Sequence, residues 1–494
     1  MHFVRPFKKL PLHSVLIIIF FLTHGYSEYI GLIPFGDMLY YFAIQLLVAS
    51  LFFLLFLGLL RSAGKAGILT TLVLLFSLFY GAIADSLKVL PFLGVLSHYR
   101  YLFSIFIIGI IILFIYLKRS PGTFQRATVY LNCVFTFLII YDIGFILLQG
   151  SSAAHVASNG TGINDKHGEQ RKRPDIYFLI MDEYSGSGTL RRYFNYDNSA
   201  FEHNFKQQGF YVAASPQCNY TMTVYSIAST LSMDYLGWLP KGQESAADNA
   251  RANKVISDNK VVGFLKQNGY EIHNYSIFDI GEQPSQFDPG LFSFRLKLIT
   301  SKTLLSRMDK DMSWILRVYL GHTFSWVEDD LRQRFRDGNE RIINLTKSAA
   351  STTSGRPKFV YAHLMMPHKP FLYDSLGRGM SMDMDTTSNS NAENNAYLQY
   401  LVYSNKVVTG LVNELLKKTK GEAVIIVMSD HGYRSLFVNG KSIEPVNNFN
   451  AVYLPEHDYS RFYESISNVN QFRVVFNSLF KSDLPLLPDS CTCD

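Results

Sequence analysis

Cysteine is scarce in this chain: four in 494 residues, at positions 133, 218, 491 and 493. That is too few for a disulfide-stapled scaffold or a cysteine-rich zinc module, and a Cys-x-Cys tail alone is slight evidence for a metal. Cys218 and one tail cysteine could pair outside the cytoplasm, but spacing does not fix connectivity. Internal repeats are absent, which excludes a solenoid or propeller. Basic charge is missing where a nucleic-acid partner would need it. The formal charge of +6 resides in residues 1–150, with 10 Lys and Arg against 4 Asp and Glu, and the remainder carries 36 of each sign. The basic balance is therefore no nucleic-acid footprint.

What is abundant is apolar sequence near the start. Five runs, residues 13–30, 39–60, 66–87, 101–117 and 128–148, approach or meet the ~20 residues a spanning helix needs. Four spans follow the first, so it reads as a retained anchor and not a cleaved signal. One set of span ends carries Arg5, Lys8, Lys9, Arg61, Lys65, Lys118, Arg119 and Arg126, the other only Lys88 and Arg100. The positive-inside rule then puts the N-terminus in the cytoplasm and everything after Leu148 outside. Asp142 falls within the fifth span. An intramembrane acid marks function by default, but one near the outer leaflet also serves to bond a neighbouring helix, the reading favoured here.

Three regions follow: a five-span anchor over 1–150, a polar linker over 151–174, and an outer domain over 175–494. The linker is a tether by composition. In the outer domain, strands are expected at 176–181, 210–212, 270–277, 359–363 and 423–428. Helices are expected at 200–208, 260–267, 341–350 and 397–418. Strands alternating with helices imply an α/β domain whose central sheet is mostly parallel and flanked by helices. Residues 291–335, rich in Leu, Phe, Trp and Arg with Trp314 and Trp326, read as a helical insertion near the membrane surface or a plain helical subdomain.

The stretch 423–432, AVIIVMSDHG, holds the densest chemistry. Six apolar, mostly β-branched residues form a buried strand, and Asp430 and His431 follow at its carboxyl end, where α/β sheets gather ligands. A carboxylate beside an imidazole can bind one divalent cation, and Gly432 would let the backbone turn sharply. Three other segments supply partners. Asp182 and Glu183 end their own strand and offer hard carboxylate ligands. In CNYTMTVYSIAST, residues 218–230, Thr221, Thr223 and Ser226 precede or open a helix, whose start favours anions. In YAHLMMPHKPF, Pro367 and Pro370 present His368 and Lys369 on a rigid loop after a strand that carries His363.

Strand-then-acid, a threonine at a helix start, a histidine-proline loop and a strand-then-SDHG turn, in that order, resemble the alkaline phosphatase/sulfatase superfamily. With its spans the chain is similar to the membrane-anchored branch, such as lipoteichoic acid synthases and lipid A phosphoethanolamine transferases. The resemblance implies an alkaline phosphatase-like fold and a divalent metal, zinc or manganese, on Asp182 or Glu183, Thr223, Asp430 and His431. It further implies Thr223 as nucleophile, His368 as acid–base or phosphate-binding group, and His363 and Lys369 at the substrate. Cys218 lacks the CxPSR context from which sulfatases make formylglycine, so sulfate-ester hydrolysis is not expected. After His431 the next histidine is His457, which leaves the extra zinc ligand of some relatives without a counterpart.

The chemistry expected is metal-assisted phosphoryl transfer through a phospho-threonine. The donor would be a membrane phospholipid headgroup of phosphoethanolamine or phosphoglycerol type, and the acceptor an envelope glycan or lipid. The resemblance implies a multi-pass protein of a bacterial cytoplasmic membrane with its catalytic domain outside. The alternatives are a phosphodiesterase or phosphatase using water, and an inactive sensor or scaffold. Sequons stand at Asn159, Asn219, Asn274 and Asn344; a glycan on Asn219 would crowd the nucleophile, which favours a host that does not glycosylate there.

Overall fold

A computed structural model describes residues 10–153, 163, 173–240, 246–287, 294–308, 325–380 and 390–492, without positions 31, 32, 34, 91, 282, 353, 439, 440 and 444. Most of the expected linker lies outside the described residues, as does Trp314. The chain divides into two units: Met1–Ser158 with Leu291–Ser325, and Asn159–Gly290 with Trp326–Asp494.

The first unit is a helical anchor of α1 (His13–Glu28), α2 (Phe35–Leu60), α3 (Ala63–Val89), α4 (Tyr99–Arg119) and α5 (Gln125–Ala153). Among the described residues, four helices are long and apolar enough to cross a membrane: α2, α3, α4 and the portion Gln125–Leu148 of α5. Five spans were expected. The first is realised as α1, whose 16 residues reach about 24 Å at 1.5 Å per residue, short of a hydrocarbon core of about 30 Å. It packs inside the bundle: Ile17 and Ile18 are fully buried, and the His13 backbone N–H donates to Asn132 Oδ1 of α5 at 2.7 Å. Leu47, Leu51, Leu54, Ile108, Ile112 and Phe137 are, by contrast, more than half exposed, an apolar surface suited to acyl chains and not to water. The protein is membrane-anchored. His24 Nδ1 of α1 lies 3.4 Å from Asp142 Oδ1 of α5, the helix-to-helix bond expected for that acid.

Two observations orient this unit internally. Lys65 Nζ donates to the Ser120 carbonyl at 2.6 Å, so the basic α2–α3 and α4–α5 turns share one end of the bundle. A segment from the later chain joins the other end. There α11 (Phe294–Thr300) sets Ile299 against Gly25, where a Cβ would come within 2.7 Å of it. Arg307 reaches Asp85 at 2.5 Å, and the Gly81 N–H donates to Lys302 O at 2.7 Å. The insertion expected over 291–335 thus has its described first part, residues 294–308, seated on the anchor helices.

The second unit is an α/β domain. Its sheet has the order β2-β8-β5-β1-β4-β3, with β1 (Ile176–Met181), β2 (Tyr211–Val212), β3 (Glu271–Tyr275), β4 (Lys358–Leu364), β5 (Val424–Ser429) and β8 (Asn450–Tyr453). A small hairpin, β6 (Phe437–Val438) with β7 (Lys441–Ser442), stands apart. β3, β4, β1 and β5 are parallel neighbours, while β8 runs antiparallel to β5 and to β2. Every residue of β1 and β5 is buried, which explains the unbroken apolar runs: strands covered on both faces have no polar side to show. Phe472 of α14 (Gln471–Phe480) packs edge-on against Phe178 of β1 at 4.9 Å between centroids. β8 opens on Asn450, shortly after Asn447 and Asn448, and this polar text hid it from the apolar-run criterion.

Two sequons are sterically closed. Asn219 is fully buried, its amide donating to Tyr235 Oη and the Ser490 carbonyl and its Oδ1 accepting from Val469 N–H. Asn274 is held in the same manner by three carbonyls. Cys218 is a buried thiol whose Sγ donates to the Pro445 carbonyl at 3.4 Å, whereas Cys491 is disulfide-bonded.

Candidate active site

Parallel register gathers the chemistry at one sheet edge. Met181 of β1 pairs with Leu364 of β4 and with Ser429 of β5, so the chain leaves all three strands at one level. Asp182 and Asp430 are the next residues of β1 and β5, and His431 follows. The ligand atoms of these three buried residues all lie within 4.8 Å of one another.

Hydrogen bonds aim each group. His431 Nδ1 is 2.8 Å from the Gly432 carbonyl. A carbonyl only accepts, so in the neutral ring Nδ1 carries the proton and Nε2 keeps its lone pair. Nε2 stands 3.2 Å from Asp430 Oδ2 and 3.1 Å from Thr223 Oγ1. Asp430 Oδ1 accepts the backbone N–H of Glu183 at 3.1 Å and of His431 at 2.9 Å. Asp182 Oδ2 accepts from His363 Nε2 at 3.2 Å, and His363 Nδ1 meets Tyr361 Oη at 2.9 Å. Asp430 Oδ2 and Asp182 Oδ1 are left buried with no hydrogen-bond partner among the described residues.

Orphan buried oxygens are costly, and two of them converge here with an imidazole lone pair. A divalent cation fits that donor set. Ligands about 2 Å from one tetrahedral ion stand about 3.3 Å apart, close to the 3.1 and 3.2 Å separations at His431 Nε2. Electrostatics agree. Burial, and then the neighbouring Asp182, push the Asp430 carboxyl above its ordinary range. Burial also works against ionised Asp182, but His368 and then His363 outweigh it and hold Asp182 well below the carboxylate range.

Thr223 opens α8 (Thr223–Ser232), after Met222 in an extended conformation. Of the three competing hydroxyls, Ser226 does not bond back along its own helix. Its Oγ donates to the Asp430 carbonyl at 2.7 Å, and Asn468 Nδ2 donates to the same oxygen at 2.8 Å. Ser226 is thus a strap between α8 and the SDHG turn.

Glu183 departs from the cluster. It sits at φ 61°, a left-handed conformation a side-chain-bearing residue seldom adopts, and three bonds determine it. Its N–H goes to Asp430, its carbonyl accepts Tyr397 Oη at 2.7 Å, and Tyr397 Oη accepts Ser185 N–H at 3.0 Å. Its carboxylate is directed to Arg434 Nε at 2.6 Å. Arg434 Nη2 also donates to His368 Nε2 at 3.2 Å, and His368 Nδ1 lies 2.5 Å from the Lys369 carbonyl. Burial disfavours the charged His368 ring, but Asp182 and Glu183 prevail and raise its pKa.

Other expected roles change with the geometry. His363, expected at the substrate, is fully buried behind Asp182, with its Nε2 turned to that carboxylate. Lys369 is ion-paired with Glu393, which also accepts Tyr433 Oη at 2.9 Å. His457 is exposed, 3.3 Å from the Gly209 carbonyl, and takes no part. Gly432 does not have a left-handed φ; its reason is space, since a Cβ would come 2.9 Å from the Asn447 carbonyl. Sequence reasoning missed Arg434, Tyr397, Glu393 and Asn468. Only Arg434 carried a signal, three residues past His431.

A family model described as Sulfatase matches residues 211–472. Among curated proteins none matches this chain in sequence. Similar solved structures include the C-terminal periplasmic domain of EcEptC from Escherichia coli in complex with Zn, at 11% identity and TM-score 0.39, covering 64% of this chain and 84% of that one. Another is the C-terminal periplasmic domain of phosphoethanolamine transferase EptC from Campylobacter jejuni, at 14% identity and TM-score 0.34, covering 62% and 89%. A third is the BT33494S-sulf protein of Bacteroides thetaiotaomicron, at 14% identity and TM-score 0.40, covering 63% and 74%.

Proposed function

The chain belongs to the sulfatase family, and on that premise we propose that it is a metal-dependent phosphotransferase moving a phospholipid headgroup, of phosphoethanolamine or phosphoglycerol type, onto an envelope glycan or lipid. The observation that carries the reading is Thr223 Oγ1 at 3.1 Å from His431 Nε2, beside two buried carboxylate oxygens that lack partners among the described residues. A hydroxyl at a helix start in that company is a nucleophile awaiting activation. Asp182, Asp430, His431 and Thr223 would hold zinc or manganese, which when bound favours the alkoxide of Thr223 and neutralises phosphoryl oxygens.

The residues divide the work. Thr223 Oγ1 attacks phosphorus of the donor diester; the new bond forms as the bond to the diacylglycerol oxygen breaks. That leaving oxygen takes its proton from water, because His368 presents its Nε2 lone pair to Arg434 Nη2 and its Nδ1 proton to the Lys369 carbonyl; His368 serves to hold the phosphate-binding side of the site. The acceptor hydroxyl then attacks the phospho-threonine, loses its proton to water and releases Thr223. His363 and Ser226 keep Asp182 and Asp430 aimed.

The anchor supports an outer location. The basic turns at 61–65 and 118–126 share one end of the bundle, which the positive-inside rule assigns to the cytoplasm. α5 starts at that end and delivers residue 150 to the other side, whether or not the short α1 crosses. A lipid donor suits a catalytic unit tethered there. The runner-up is a phosphodiesterase, in which water replaces the acceptor.

The test uses the full chain in detergent with zinc or manganese, a phosphatidylethanolamine or phosphatidylglycerol donor, and an acceptor glycolipid. Diacylglycerol release should accelerate with acceptor, and the trapped adduct should lie on the peptide containing Thr223. Thr223→Ala should abolish turnover by at least ~10³-fold while keeping most of its metal. Equal release in water alone, with no modified acceptor, would establish the phosphodiesterase; an adduct on Thr221 or Ser226 would displace the nucleophile.

A further inference from the structure

Glu183 and His368 are the remaining donors beside the cluster that a second divalent ion would need, and one side chain occupies both. Arg434 Nε donates to Glu183 Oε1 at 2.6 Å and Nη2 to His368 Nε2 at 3.2 Å. Its Nη1 lies 3.2 Å from the sulfur of Met222, the residue just before Thr223. We infer that Arg434 is the second cation of this centre: the site takes one divalent ion, and the guanidinium binds the substrate phosphoryl group where a second ion would otherwise stand. This rests on the phosphoryl-transfer reading above.

The charges favour it. Asp182, Asp430 and Glu183 present three carboxylates, which one divalent ion and one guanidinium neutralise in the resting site, so charge balance there requires no second ion. Arginine cannot yield its place by losing a proton, as lysine can. Glu183, with Asp182 and Asp430 behind it, holds Arg434 charged although burial opposes this. Among the described residues, Asp182, Asp430 and His431 form the sole cluster with metal-ligand spacing.

The geometry leaves hydrogen-bonding capacity for substrate. A guanidinium carries five N–H donors, and three are engaged, by Glu183, His368 and the Met222 sulfur. Among the described residues one N–H on each terminal nitrogen remains, two donors that can act as a fork toward phosphoryl oxygens. The Arg434 side chain keeps 30% of its surface exposed against 6% for Glu183, so the fork is reachable while its anchor is buried. Glu183's left-handed turn acquires a purpose: it takes the second acidic residue out of the metal cluster and makes it the seat of this arginine.

The full chain in detergent, and the variants Arg434→Gln and Arg434→Ala, would be dialysed against zinc and analysed for metal per chain by plasma mass spectrometry. Inorganic phosphate binding would be measured by calorimetry on the zinc-loaded protein. The wild type should hold one zinc, and Arg434→Gln should hold that zinc yet bind phosphate about 10- to 100-fold more weakly. Arg434→Ala, with Glu183 and His368 released, should take up a second, weaker zinc. Two zinc ions in the wild type, or phosphate affinity within threefold of wild type in Arg434→Gln, would overturn the inference. Should Arg434→Gln not retain zinc because Glu183 is left unpaired, the double variant Glu183→Gln/Arg434→Gln restores neutrality and must show the same phosphate loss. A wild type that binds no zinc or manganese at all defeats the phosphotransferase reading itself, and with it this inference.

Discussion

Replacing Asp430 by asparagine should produce two opposite effects in one protein. Asparagine Oδ1 keeps the backbone N–H groups of Glu183 and His431, at 3.1 and 2.9 Å, and its Nδ2 takes the place of Oδ2, 3.2 Å from His431 Nε2. Because His431 Nδ1–H is directed to Gly432 O, Nε2 is an acceptor. A hydrogen bond therefore replaces two facing lone pairs, and one of two mutually repelling buried carboxylates is gone. Each effect is worth about 1 kcal/mol, so the metal-free variant should be roughly 1–3 kcal/mol more stable than the metal-free wild type. At about 2–4 °C per kcal/mol, the melting point in EDTA should rise by several degrees. With zinc the order inverts. A four-ligand zinc site worth about 10–16 kcal/mol loses roughly a quarter of that with one anionic ligand, about 10²- to 10³-fold in Kd. Fluorescence melts of the detergent-solubilised chain in EDTA and in graded zinc, with elemental analysis, read both effects. A variant that keeps its zinc, or that melts lower than wild type in EDTA, would refute the reasoning.

The remaining predictions concern protons and topology. Asp430 sits above its ordinary 3.8 in the metal-free fold, so the stability it contributes is present below 3.8 and lost as pH rises through its raised value. Zinc must displace that proton: Asp430 should make affinity fall as pH drops through its raised value, by up to about tenfold per pH unit, and Asp430→Asn should remove that share of the slope. A competition titration across pH checks this, and an unchanged slope in the variant would exclude Asp430 as the proton source. A reporter active only outside the cytoplasm should work after Gly150 and be silent in the 118–126 turn; the reverse pattern would invert the orientation and remove the catalytic unit from the envelope.

The polypeptide alone determined whatever depends on local composition. Apolar runs long enough for lipid became helices α2 to α5, and short β-branched runs became β1 and β5. Alternation of strands and helices set a mostly parallel sheet, whose register carries Asp182 and Asp430 to one edge. Those outcomes need only burial and periodicity. The first span fell short because its helix closes after Glu28, and β8 was overlooked because Asn450 and the asparagines before it break the apolar run. Tertiary structure decided where individual side chains turn. Asp182 and Glu183 are adjacent and alike in sequence, yet one joins the metal cluster and the other an arginine. The difference is a single left-handed φ at Glu183, fixed by Asp430 and Tyr397, 247 and 214 residues away. The role of His363 behind Asp182, the strap from Ser226 to Asp430 and the seating of Arg434 arise in the same way. Each is a contact between strand ends that only the closed sheet brings together, and no local pattern encodes a contact made across two hundred residues.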